Sequence, residues 1–277
     1  MKVGLIGFPV AHSKSPQMQG AAFKASGLLD WTYELWNTPH DEIAQRVQMI
    51  RDDDSTAGAN VTVPHKLNVM PYLDEISEQA EAIGAVNTIF KQDGKLLGDN
   101  TDWVGFLNDL LWHGVKVREA SHALVLGAGG SARGIVYALL HSGWDVTVVN
   151  RDHLRAMRLV SDMRRAFHNR DGIYFAKQLN DYITGAHSLV VNCTSAGMEP
   201  NDDTSPWPDD LPIPKNVTLY DLVYKPRVTK LMRQAEAAGV RAIGGIGMLA
   251  EQGAAAFERW TGVAAETVAG VMREAIT

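Results

Sequence analysis

Two serines, one lysine, one aspartate and a run of glycines are the residues of this sequence whose types and surroundings could do chemistry. Ser13 and Ser15 lie in Gly7-Phe8-Pro9-Val10-Ala11-His12-Ser13-Lys14-Ser15-Pro16, where a short apolar strand gives way to a helix. The positive end of a helix, furnished with hydroxyl donors, suits a small carboxylate. The plain alternative is that Ser15 caps its helix and Ser13 lines the loop. Lys66 closes Asn60-Val61-Thr62-Val63-Pro64-His65-Lys66, and Asp102 closes Gly98-Asp99-Asn100-Thr101-Asp102. Lysine and aspartate are residue types for acid–base or electrostatic work at an oxygen. Spacing alone does not bring them together, since Asp102 also fits a helix cap and a lone lysine is usually a solvated charge.

Gly127-Ala128-Gly129-Gly130-Ser131-Ala132 has the form G-x-G-x-x-A. An apolar strand precedes it and a helix follows, the context in which such a turn binds a pyrophosphate. Gly127 allows the tight turn, Gly129 lets the backbone approach the anion, and Ala132 permits close helix packing. A tight strand–helix turn without a ligand is the alternative. The end of the next strand reads Val148-Val149-Asn150-Arg151, with Arg155 one turn further. A carboxylate there selects NAD, whereas two guanidiniums suit a 2′-phosphate, so the pattern favours NADP. Asp152 reads as the N-cap of a helix over His153–Ala166, with ribose binding the other possibility.

These residues need an α/β frame to hold them. Strands are expected over Val3–Phe8, Thr32–Asn37 and Gly58–Val63. Helices are expected from Ser15 to a stop at Gly27, and over Asp41–Arg51, His65–Leu73 and Ser77–Ile83. Asp93-Gly94 marks a hairpin between Ala85–Lys91 and Leu96–Gly98. A second unit follows: helix Asp102–His113, strand Ala123–Leu126, helix Ser131–His141 and strand Asp145–Val149. Further strands lie near Ser188–Asn192 and Thr218–Leu222. That alternation predicts a doubly wound, mostly parallel sheet. The segment from Pro200 to Pro214 holds five of the 11 prolines and reads as a mobile surface loop. Met248–Thr277 reads as two helices split near Gly262, with Leu249, Phe257 and Trp260 as core.

Composition bounds the function. The 277 residues are 45% hydrophobic and 21% charged with a net charge of −6, which fits one or two folded domains and no duplex nucleic-acid partner. Cys193 is the only cysteine, so a disulfide framework and a thiolate metal site are excluded. It reads as a small buried filler. The nine histidines form no HExxH pattern, no metal is expected, and His12 and His65 read as loop-shaping. No apolar run reaches membrane-spanning length and the first residues lack a signal-peptide pattern, so a cytoplasmic location without membrane association is expected.

The motifs GFPVAHSKSP at 7–16, NVTVPHK at 60–66, GAVNT at 84–88, DNTDWVG at 99–105, GAGGSA at 127–132, NR at 150–151 and NCTSAGM at 192–198 occur in that order. DLVYKPRVTKL at 221–231 and GGIGMLAEQGAAAFERWTG at 244–262 complete them. Through these motifs the chain closely resembles the shikimate dehydrogenases, nearly end to end. The resemblance implies a substrate domain of residues 1–102 and 246–277, a Rossmann-type NADP domain of residues 103–245, and a ligand cleft between them. It implies NADPH-dependent reduction of 3-dehydroshikimate to shikimate, reversibly, by a monomer or homodimer.

By motif position, Lys66 and Asp102 are implied as the catalytic pair, and Ser13, Ser15 and Tyr224 as carboxylate ligands. Thr62, Asn87, Asp102 and Gln252 are implied at the ring hydroxyls, beside Lys66. Gly127, Ala128, Gly129, Gly130 and Ser131 would hold the pyrophosphate, and Asn150, Arg151 and Arg155 the 2′-phosphate end. Thr194, Leu222, Gly245 and Met248 would border ribose and nicotinamide. One departure stands out: the family often reads S-x-S-P-x-x-H, and Gln19 takes the histidine position. Gln19 and Asp152 sustain the alternative of a broad-specificity quinate/shikimate dehydrogenase using NAD or NADP. A non-catalytic NADP sensor is the other class, opposed by Lys66 and Asp102 standing within full motifs.

Overall fold

The computed structural model describes residues 1–115, 121–179 and 188–277. The chain forms two compact units, Met1–Asp109 with Gly247–Thr277, and Leu110–Ile246. In the first, β1 (Lys2–Gly7), α1 (Ser15–Ala25), β2 (Thr32–Asn37), α2 (Ile43–Asp52) and β3 (Thr56–Val61) alternate. Then come β4 (Glu75–Ile76), α3 (Glu78–Ile83), β5 (Thr88–Gln92), β6 (Lys95–Asp99) and α4 (Asp102–Trp112). The sheet order is β2-β1-β3-β5-β6-β4. β1 runs parallel to both β2 and β3, while β5 is antiparallel to β3 and β6. Ile6, Ala59, Val61, Val86 and Ile89 of the sheet region pack with Ile43, Val47 and Ile50 of α2 into one core cluster.

The second unit contains β7 (His122–Leu126), α5 (Gly130–His141), β8 (Asp145–Val149), α6 (His153–Ala166) and β9 (Ile173–Ala176). β10 (Leu189–Asn192), β11 (Thr218–Asp221), α7 (Lys230–Ala237) and β12 (Arg241–Gly244) complete it. All its strand pairs are parallel, in the order β12-β11-β10-β7-β8-β9. The order reverses between β7 and β10, the switch point at which a doubly wound sheet opens a ligand crevice. Leu124, Leu126, Val190 and Leu219 form its core with Leu231 and Ala235 of α7. The chain then returns to the first unit through α8 (Ile246–Thr261) and α9 (Ala265–Ile276). Phe257 of α8 meets Phe23 of α1 with ring centroids 5.2 Å apart. Gly105 lets α4 lie against α8, since a Cβ there would sit 2.6 Å from the Gln252 nitrogen.

Several expectations need correction. No helix fills His65–Leu73; only Met70–Tyr72 makes a 3-10 turn. Lys66 O accepts the distant Val86 N–H at 2.7 Å instead of a donor one turn on, and the buried His65 ring holds Thr38 O at 2.7 Å. Pro71 removes a further donor. The short strands β4, β9 and β12 were not expected; each has four residues or fewer, too short for a periodic signal. Ser15 is not the cap of α1. It opens the helix behind Lys14, and Ser13 Oγ accepts its N–H at 3.1 Å. The loop from Pro200 to Pro214 carries no helix or strand, but it is not a loose surface segment. Trp207 is 2% exposed, its indole N–H donates to Leu211 O at 2.9 Å, and Ile213 joins the core. Along α4 the chain passes from the first compact unit to the second, between residues 109 and 110.

Asp53, between α2 and β3, gathers Ser55 Oγ at 2.6 Å, Thr56 Oγ1 at 2.8 Å and Lys2 Nζ at 2.9 Å. These bonds, led by the Ser55 hydroxyl, hold its carboxyl well below the usual carboxylate range. A carboxyl depressed on folding adds stability above its unfolded value of ~3.9, and that stability fades as pH falls further. Asp53→Asn is therefore expected to lower the urea midpoint at pH 7, with the gap to wild type shrinking below about pH 4. Parallel urea titrations at pH 7, 5, 4 and 3 check this, and a gap independent of pH would contradict it.

Candidate active site

Lys66 follows the turn that leaves β3, and Asp102 opens α4. The fold brings them together: Lys66 Nζ donates to Asp102 Oδ2 at 2.5 Å. Their side chains are only 10% and 4% exposed, so the charges are largely screened from water. A buried ion pair of this kind needs its remaining lone pairs satisfied. Asn87 does this, donating through Nδ2 to Asp102 Oδ1 at 2.9 Å and to Gln252 Oε1 at 3.2 Å. Asn87 is itself fixed, because its Oδ1 accepts the Thr101 N–H at 2.7 Å. Gln252 is anchored by its Nε2 donating to Leu249 O at 2.8 Å. Asn100 Oδ1 accepts the Asp102 N–H at 3.0 Å while its Nδ2 donates to Ala85 O at 2.8 Å.

The structure thus joins four expected residues, Lys66, Asp102, Asn87 and Gln252, in one network drawn from the β3 exit, the β5 entry, α4 and α8. Thr62 lies half-buried beside the close approach at Gly7, where a Cβ would meet Thr62 Cγ2 at 2.4 Å. Ser13 Oγ donates to Ser15 Oγ at 3.0 Å, so the two serines share one small turn. Gln19, completely buried one turn into α1, donates through Nε2 to Gly253 O at 3.1 Å, and its Oε1 has no hydrogen-bond partner among the described residues. Sequence reading missed Asp99, Asn100 and Thr101 as supports. Asp99 accepts from Ser77 Oγ at 2.7 Å and pairs with Arg259 at 2.8 Å, and its Oδ1 accepts the Asn100 N–H at 2.7 Å. Their place inside DNTD was the available signal.

The other expected residues lie in the second unit, Met248 excepted. Gly127 follows β7 with φ +109°, open to glycine and strained for other residues. A Cβ on Gly129 would meet nothing within 4 Å, which leaves a bare backbone approach at the start of α5. The N-cap of α5 makes no side-chain hydrogen bond, so the helix start is furnished to receive an anion. Arg151, just past β8, and Arg155, in the first turn of α6, are exposed. Asp152 caps α6, accepting the Arg155 N–H at 3.2 Å, and its other oxygen lies 3.3 Å from Arg155 Nε. Glycine backbone plus two guanidiniums is a donor set that fits a dinucleotide carrying an extra phosphate.

Thr194 donates its hydroxyl to Asn192 Oδ1 at 2.7 Å, and Asn192 Nδ2 donates to Asp221 Oδ1 at 2.8 Å. Thr229 donates to Asp221 Oδ2 at 2.6 Å. Burial pushes the Asp221 carboxyl up, opposed by the hydrogen bonds of Thr229, the Val223 N–H and Asn192. Gly245 packs against Leu222, whose carbonyl oxygen would be 2.4 Å from a Cβ there. Thr194, Leu222 and Gly245 therefore stand on one rigid frame, which sequence reading did not anticipate. Tyr224 is half-buried in this unit, and Met248 belongs to the first unit through α8. Cys193, expected as a small buried filler, is partly exposed.

Comparison with known proteins matches this geometry to a family. Residues 5–89 match the model of the shikimate dehydrogenase substrate binding domain, and residues 113–218 that of shikimate / quinate 5-dehydrogenase. Residues 245–277 match the shikimate 5'-dehydrogenase C-terminal domain. The shikimate dehydrogenase (NADP(+)) of Geobacillus kaustophilus is 40% identical over 260 residues, covering 94% of this chain and 92% of the relative. The shikimate 5-dehydrogenase of Thermus thermophilus, solved with NADP(H) and shikimate, superposes with a TM-score of 0.86 at 36% identity, covering 99% of each chain. A ligand-free 5-ketofructose reductase of a Gluconobacter strain superposes with a TM-score of 0.84 at 29% identity, covering 100% of this chain and 97% of its own. With the parallel sheet, the glycine turn and the lysine–aspartate pair already in hand, these matches over nearly the whole length mean that the chain belongs to the shikimate dehydrogenase family.

Proposed function

We propose that the protein catalyses the reversible NADPH-dependent reduction of 3-dehydroshikimate to shikimate. The observation that carries the reading is the buried Lys66–Asp102 pair tied through Asn87 to Gln252. NADPH supplies the hydride. Negative charge then builds on the ketone oxygen, and the Lys66 ammonium stabilises it and stands next to the oxygen that must gain a proton. Asp102 holds Nζ in place through its hydrogen bond, so Lys66 acts at least partly as a fixed cation. Asn87, Gln252 and Thr62 contact the ring hydroxyls, and Ser13 and Ser15, with Tyr224, take the carboxylate. Gly127 to Ser131 hold the pyrophosphate and Asn150, Arg151 and Arg155 the 2′-phosphate end. Thr194, Leu222, Gly245 and Met248 border ribose and nicotinamide. Residues 1–102 and 246–277 form the substrate part and residues 103–245 the cofactor part. The enzyme is taken as a cytoplasmic monomer or homodimer, a compartment in keeping with its single cysteine.

Initial rates with shikimate or quinate, each paired with NADP or NAD, test the reading. Strong preference for shikimate with NADP is the expected result. Comparable rates with quinate would move the assignment to a broad-specificity quinate/shikimate dehydrogenase, a second reading favoured by Gln19 Oε1, which has no partner among the described residues. Comparable rates with NAD would return Asp152 to the ribose.

A further inference from the structure

The two hydroxyls assigned to the substrate carboxylate flank Lys14, and the charge of Lys14 is engaged elsewhere. Its Nζ donates to Ile276 O at 2.7 Å, in the last turn of α9. Three residues on, Gln17 donates through Nε2 to Ala275 O. The last carbonyls of a helix lack partners of their own and carry the negative end of its dipole, so an ammonium is well placed there. The main chain of Lys14 is fixed as well. It is the N-cap of α1, and its carbonyl accepts the Met18 N–H at 3.2 Å. One residue is thus held by α1 through its backbone and by α9 through its side chain. The hydroxyls on either side of it sit 3.0 Å apart, with the Ser15 N–H bound to Ser13 Oγ.

We infer that Lys14 is a positioning residue for carboxylate recognition: its tether to α9 sets the turn that aims Ser13 and Ser15. The inference rests on the carboxylate reading of the two serines given above. A cation beside a carboxylate site invites the simpler idea of direct ion pairing with the substrate. The bond to Ile276 O fixes Nζ at the end of α9 but leaves it two further N–H donors, so the two ideas are separated by experiment.

A double-mutant cycle on the full chain separates the two. Lys14→Met is expected to raise KM for shikimate about fivefold, with kcat and the KM for NADP within about twofold of wild type. Lys14→Arg, which keeps a charged donor of similar reach, is expected to restore most of the shikimate KM. In a Ser13→Ala/Ser15→Ala background, Lys14→Met is expected to add less than about twofold, since nothing remains to be aimed. An undiminished effect in that background would overturn the inference in favour of direct pairing. An equal loss in kcat or in the NADP KM would overturn it in favour of general destabilisation. Failure of the serine pair itself to raise the shikimate KM would instead sink the carboxylate reading. If thermal melting shows that Lys14→Met does not fold, the same cycle runs on Lys14→Gln, which keeps a neutral donor. Its expected KM lies between those of wild type and the serine-less enzyme.

Discussion

Lys66→Met is expected to lower kcat for shikimate oxidation by about three orders of magnitude, with the KM for shikimate changed only a few-fold. The size follows from losing a positioned proton-transfer group, about 10²–10⁴ in rate, where the lost group also stabilises an oxyanion. An interaction that strengthens as charge develops on the oxygen is lost from kcat rather than from binding. Methionine keeps the length and apolar stem of the side chain, so packing near Asp102 changes little. Asp102 then stands buried without its cation, which costs stability of about 3–5 kcal/mol. The melt must therefore be measured beside the rate. Lys66→Arg separates the two roles of the residue. An arginine stays charged throughout the working range and cannot hand over a proton readily. If Lys66→Arg retains most of the activity, the lysine is a fixed cation. If it falls as far as methionine, proton transfer at Nζ is the larger part. An unchanged kcat in Lys66→Met would remove Lys66 from the chemistry altogether.

The parts of this site that could be read from the sequence are those whose signal is local. The glycine turn after β7 announces itself within six residues, because Gly127 must adopt φ +109° and the following helix start must stay bare. The Asp152 cap is equally local, a carboxylate reaching an N–H three residues on. Lys66 and Asp102 are different. Their meeting depends on β3, β5 and β6 lying side by side, so that the β3 exit and the α4 start converge. Composition and spacing hold no trace of that register, and only the family motifs pointed to it. Asn100, Thr101 and Asp99 escaped notice for a related reason: a run of small polar residues looks like any turn until its partners are known. Trp207 shows the opposite error. Proline and aspartate density marked its loop as loose, whereas one large apolar side chain at 2% exposure pins the segment to the core. The absent helix at His65–Leu73 reflects tertiary bonds overriding helical spacing, with the Lys66 carbonyl taken by Val86.

Cofactor choice gives the second large effect. The Arg151→Ala/Arg155→Ala double variant is expected to raise the KM for NADP about 100-fold while leaving the KM for NAD nearly unchanged. Charge-assisted hydrogen bonds to phosphate are worth about 1.5–3 kcal/mol each when well formed. The Arg155 side chain is 72% exposed, so the lower end of that range applies and the two together give about 100-fold. Its pairing with Asp152 is an exposed contact between residues three apart, worth about 0–1 kcal/mol, and does not hold the guanidinium back from a phosphate. The same pairing sets the direction of the change. Once Arg155 is gone, Asp152 Oδ2 loses its cation while Oδ1 still accepts the residue-155 N–H. A carboxylate at the end of β8, no longer balanced, repels a 2′-phosphate and welcomes a ribose hydroxyl. NAD turnover is thus expected to hold steady or rise as NADP turnover collapses. Adding Asp152→Asn, which preserves the cap, is expected to recover part of the NADP affinity by removing the repulsion. Initial-rate kinetics with both dinucleotides on the wild type and the two variants decide the matter. A parallel loss with NAD and NADP would mean that the guanidiniums act on the portion the two cofactors share, and the 2′-phosphate assignment would fall.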